Sequence, residues 1–247
     1  MKTSALLNEI RSFDRVMLCF FWLMALSGMI AREDYTLFLR PQLVFLPAFA
    51  FFIFLAFFLV EMQRSDQPRA EPRGRGLRWL ILISPVLFLP IARQTTLGEV
   101  EFDQRWLGGE ASMPASTSQP PWMSTRQPSS PTQSHNHDLF GQLYWYPEPF
   151  HQQRVSVLGM VRRMPEITEM HGQDAGLVYR FIINCCVADA VPFAILLPEG
   201  LPPDASDGDW LQVQGKLIYE PTPPFDVMRI EEATATPAPT PRNPYAF

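Results

Sequence analysis

Three apolar runs crowd the first 92 residues, and shorter runs in which apolar and polar positions alternate fill the last 110. The first, at 16–31, reads VMLCFFWLMALSGMIA without a charge, and a rise of about 1.5 Å per residue makes it roughly 24 Å of helix. The second, at 43–60, reads LVFLPAFAFFIFLAFFLV; it is apolar on every face and about 27 Å long as a helix, close to the thickness of a hydrocarbon core. The third, WLILISPVLFLPIA, is shorter and carries Pro85 and Pro90. It reaches the interface through Leu77 and a snorkelling Arg78, which sets the span at 77–92. A buried core helix accounts for one such run, but three in close succession, each bounded by charge, predict membrane spans. A cleaved signal peptide does not suit the first run, because no A-x-A site closes it and further spans follow.

Beyond these runs the pattern changes twice. Between 108 and 137 the chain is dominated by Pro, Ser and Gln, which bury too little apolar surface to offset the entropy of ordering, so a flexible tether is expected. From Asp138 a globular pattern resumes with aromatics at Phe140, Tyr144, Trp145, Tyr146 and Phe150, suited to packing the start of a domain. Five runs of period two then follow, bounded by Pro, Gly and Asp: 154–164, 178–186, 192–198, 210–220 and 225–233. Gly159 and Gly215 fall inside two of them, where glycine permits a bulge or sharp coil. The expected fold class is an α+β membrane protein: transmembrane helices over 1–95, a Pro/Ser-rich linker over 96–137, and a small all-β domain over 138–247. For that domain an OB-like, partly open barrel is favoured, with a β-sandwich as the rival.

The averages alone, 47% hydrophobic and 18% charged, would describe an ordinary soluble protein and conceal these three regimes. Charge is more informative by position. Lys2, Arg11 and Arg15 precede the first span, and Arg64, Arg69, Arg73, Arg75 and Arg78 fill the second loop, whereas Arg32 and Arg40 share the first loop with Glu33 and Asp34. The positive-inside rule places the N-terminus in the cytoplasm, and three crossings carry the β domain outside it; if the third run only lies in the interface, the arrangement inverts. This describes a multi-pass protein of a bacterial inner membrane. A net charge of -5 without any like-charge block argues against a nucleic-acid partner.

Only three cysteines occur, Cys19 in an apolar run and Cys185 and Cys186 side by side, so no disulfide framework is present. The word NCCVADAVP, beginning at Asn184, is the most unusual in the chain. Two thiols are soft ligands and Asp189 adds an oxygen, which makes Cys185, Cys186 and Asp189 a candidate site for Zn or Cu(I). Neighbouring side chains of a regular strand point to opposite faces, so the thiols share an ion only if the strand ends or bulges there. A vicinal disulfide, or a core cysteine with Asp189 capping a turn before Pro192, remains open. His135, His137 and Asp138 form a weaker chelating possibility in the linker, His151 and His171 weaker still, and Arg162 and Arg163 read as an exposed strand end. No nucleophile elbow, phosphate-binding loop, HExxH or CxxC pair appears, so the chain is not expected to be an enzyme.

Four words carry a family resemblance: VxVxGxV at 155–161, RFxIxCCxADAxP at 180–192, WxxVxGxL at 210–217 and a terminal PxxPYxF at 241–247. Together with the apolar helices they resemble the YcgQ-like bacterial membrane proteins, a family whose own function is poorly defined. The resemblance implies an accessory subunit of a two-component membrane permease, partnered by a larger multi-spanning subunit of the YraQ type. The chain departs from the family pattern in its third apparent span and its long Pro/Ser linker. A membrane-anchored metal- or redox-active protein using the cysteine pair, and an envelope scaffold, are the alternatives.

Overall fold

The computed structural model describes residues 2–63, 75–92, 97–106, 139–221 and 227–247 of the chain. They belong to two compact units, 1–96 and 97–247.

The first unit is helical. α1 (Lys2–Ala31) begins well before the apolar run, α2 covers Phe45–Gln63, and α3 covers Arg75–Ala92. Helices thus stand at all three positions where apolar runs predicted them. A 3-10 turn at Pro41–Val44 leads into α2, so that Pro41–Gln63 forms a 23-residue segment long and apolar enough to cross a membrane. Val16–Ala31 is a shorter apolar stretch. Large side chains on α2 point outward, Phe49, Phe52 and Phe57 among them, as lipid-facing residues do. Inside the unit, the Trp22 indole stacks on Phe54 with centroids 5.1 Å apart and donates from Nε1 to the Leu82 carbonyl at 3.0 Å. Pro85 takes the helical donor away from the Ile81 carbonyl, and the Ser84 hydroxyl donates to it instead at 3.0 Å.

The second unit is a five-stranded barrel. β1 (Arg154–Arg162), β2 (Gly176–Ile182), β3 (Val191–Leu197), β4 (Trp210–Glu220) and β5 (Val227–Pro237) are ordered β1-β2-β3-β5-β4, and β4 returns to β1. All neighbours are antiparallel except β3 and β5, whose parallel seam is registered at Leu196↔Arg229. The sheet is therefore closed rather than partly open, and a single continuous sheet excludes the sandwich. Closure needs tight coiling. At Gly159, where β1 passes from β4 to β2, a Cβ would meet Val178 Cγ2 at 2.7 Å and the Tyr179 carbonyl at 2.9 Å. At Gly215 the register slips, but the extra residue lies on β5 near Glu232, whose φ is 52°; the glycine lets β5 approach, with Ile230 Cγ2 only 2.4 Å from a would-be Cβ.

Alternation sorts the barrel side chains into two cores. Val157, Val161, Val178, Ile195, Val213, Leu217 and Ile230 pack with α5 (Leu139–Trp145), which contributes Phe140 and Leu143; Phe140 meets Phe193 edge-on. Leu158, Met160, Leu177, Tyr179 and Phe181 form the second core. β2 is consequently buried on both faces, which is why it reads GLVYRFI with almost no polar residue.

Part of the expected linker belongs to this second core. α4 (Glu99–Trp106) lies against the outer face, with Phe102 fully buried between Tyr179 at 4.3 Å and Trp106 at 5.1 Å. EVEFDQRW is too short and too charged to advertise a core helix, so its role emerges only from the barrel it packs on. A short helix, α6 (Pro165–His171), which no pattern in the sequence signalled, connects β1 to β2. Arg162 and Arg163, expected to be exposed, are fastened instead. Arg162 pairs with Asp103 of α4 and with Asp207 at 2.5 Å each, and the Arg163 guanidinium donates to the carbonyls of Gln173, Pro202 and Ala205. The remainder of the expected linker, 107–137, lies outside the described residues, as do Asp138 and residues 225 and 226 of the fifth expected strand.

Candidate functional site

β2 stops at Ile182, four residues before the expected end of that strand, and the chain folds through 183–190 into a 3-10 turn at Val187–Asp189 before β3 begins. The Asp189 carboxylate organises this loop. It accepts backbone N–H bonds from Asn184 at 3.2 Å, Cys185 at 2.8 Å and Cys186 at 3.4 Å, while the Cys186 side chain accepts from the Asp189 N–H in return. Since the strand has ended, the two-sided geometry that would separate adjacent cysteines no longer applies. The ligand atoms of Cys185, Cys186 and Asp189 lie within 4.8 Å of one another, the only such group among the described residues.

Both thiols are free; Cys185 is exposed and Cys186 half-buried. The Cys185 thiol is pushed up to about 11, first by its hydrogen bond to Asp189, then by that to Cys186 and by the nearby negative charge. Burial pushes Asp189 the other way from its bonds, but the Cys185 thiol and the three backbone donors outweigh it and hold the carboxyl below its ordinary value. A cation at these donors would take the proton's place on sulfur and offset the negative charge that favours the protonated thiol. In a tetrahedral zinc site the donor atoms sit about 3.5–3.8 Å apart, so the three groups need to draw in by about 1 Å.

The other sequence candidates do not join this cluster. His151 uses Nδ1 to accept the Tyr219 N–H at 3.1 Å, and His171 stands exposed at the end of α6. His135, His137 and Asp138 lie outside the described residues.

Two residues around the loop carried no signal of their own in the sequence. Arg180, buried in β2, donates to the carbonyls of Asn243 at 2.8 Å, Pro244 at 3.2 Å and Tyr245 at 2.8 Å, and Trp210 stands 5.6 Å from its guanidinium carbon. The terminal word is thereby pinned to the word that holds the cysteines, and Ala246 pairs alongside Ile182. From the outer side, Arg105 of α4 donates to the carbonyl of Ala190, the residue after Asp189.

A family model, the DUF1980 C-terminal domain, matches residues 121–247, just over half of the chain. No curated protein and no solved structure matches it.

Proposed function

We propose that this chain, which belongs to the DUF1980 C-terminal domain family, is a membrane-anchored accessory subunit of a two-component permease, and that its barrel domain binds a soft metal ion outside the cytoplasm. The observation that carries the ion-binding part is the gathering of two thiols and a carboxylate within 4.8 Å on an accessible loop. Zn and Cu(I) are the ions such a donor set favours, and three protein ligands leave a position open for exchange with a partner. Asp189 does double duty, shaping the loop through backbone amides and lending charge to the bound cation.

The accessory role is supported by the apolar segment Pro41–Gln63 and by the four words that the chain shares with the YcgQ-like membrane proteins. The apolar runs 16–31, 43–60 and 79–92 contain no Asp, Glu, Lys, Arg or His, so three helices built on them make a poor translocation path by themselves and suit a multi-spanning partner. In this reading α1, α2 and α3 all cross the bilayer, with the N-terminus in the cytoplasm.

Metal content of the full-length protein in detergent tests the ion reading: about one equivalent of zinc or copper is expected, and none after C185S/C186S. Equal, near-zero metal in both proteins overturns it. Co-purification with a multi-spanning membrane protein under mild detergent tests the permease role, and a chain that isolates alone counts against it.

A further inference from the structure

We propose that Arg105 is a positioning residue for the cysteine loop, and that through it the docking of α4 and the occupancy of the ion site regulate each other. This rests on the ion-binding reading above.

The loop from Ile183 to Ala190 is held from four directions. Its ends are fixed by the β2–β3 pair at Ile182↔Val191, its first N–H donates to the Ala246 carbonyl at 2.9 Å, its interior is held by Asp189, and its outer side by the charged donor of Arg105 at the Ala190 carbonyl. The last of these comes from a separate helix and falls one residue from a proposed ligand. α4 in turn is seated by Phe102, by the Arg162 pairs to Asp103 and, at 3.7 Å, Glu99, and by the Leu97 N–H donating to the Tyr245 hydroxyl at 3.3 Å. Ala190 and Phe102 also share one buried cluster.

Drawing Cys185, Cys186 and Asp189 together around a cation shifts the chain at Asp189, and the Ala190 carbonyl moves with it. Where the carbonyl position set by the bound cation is the one Arg105 holds, ion binding strengthens α4 docking and α4 docking strengthens ion binding by the same factor, since coupling between two equilibria is reciprocal.

The test measures zinc affinity of the full-length protein in detergent for wild type, R105M, which keeps length but has no donor, and R105K, which restores one. Hydrogen exchange of the 102–106 amides is followed with and without zinc. A loss of about tenfold in affinity for R105M, recovery to within about threefold for R105K, and a zinc-dependent change in α4 exchange that C185S/C186S abolishes are expected. Unchanged affinity in R105M with zinc-independent α4 exchange in wild type overturns the coupling while leaving the site intact. A wild-type protein that binds no zinc, or binds it equally without the cysteines, removes the site and the coupling with it.

Discussion

Replacing Asp189 by Asn is expected to make the Cys185 thiol more reactive, because the hydrogen bond and charge of that carboxylate are the largest reason it holds its proton up to about 11 rather than 9.0. If the whole displacement were relieved, the thiolate population at pH 8 would rise about a hundredfold. A less basic thiolate is also a poorer nucleophile, and a Brønsted coefficient of about 0.4–0.5 gives back roughly six- to tenfold. The net gain in initial rate toward an aromatic disulfide at pH 8 is therefore up to about fifteenfold, with the midpoint of the rate profile moving down from about 11 toward 9.0. Asn is a fitting replacement because its side-chain oxygen still accepts backbone N–H bonds and so retains part of the loop's support. Adduct formation at Cys185 would be separated from that at Cys186 by fragment-ion mass spectrometry, in a Cys19→Ser background that removes the third thiol. Rates within twofold of each other and an unmoved midpoint would refute the account of the loop as an Asp-held thiol pair.

The Asp189 carboxyl is held below its ordinary 3.8, so its contribution to loop stability is fully present above that pH and is lost as pH falls through the lower folded value; amides of Asn184, Cys185 and Cys186 should keep their hydrogen-exchange protection to about pH 4, and loss already at pH 6 would contradict this. Phe102→Ala removes a fully buried ring from the outer core and should lower domain stability by about 3–5 kcal/mol, read as a fall in thermal midpoint in detergent. Gly215→Ala forces a methyl toward Ile230 Cγ2 and the Glu231 carbonyl and should cost about 1–3 kcal/mol by the same measurement; a variant as stable as wild type would mean β5 can retreat.

Elements whose formation depends on their own composition were legible in the sequence alone: the apolar helices, because length and apolarity are local properties, and the five strands, because alternation records which face is buried. The donors Cys185, Cys186 and Asp189 were visible as types for the same reason. What they could do together was not, since it depended on β2 ending at Ile182 and on three backbone amides converging on one carboxylate. Barrel closure likewise runs against the partly open barrel that the strand pattern favours, because the β3–β5 seam joins residues with no shared pattern. α4 reads as linker because its one fully buried residue, Phe102, sits among charges that the fold pairs with Arg162 and the Ala190 carbonyl. Local periodicity thus decided which segments fold and which face they bury; long-range contacts, which no window of sequence contains, decided where the cysteine loop sits and what holds it.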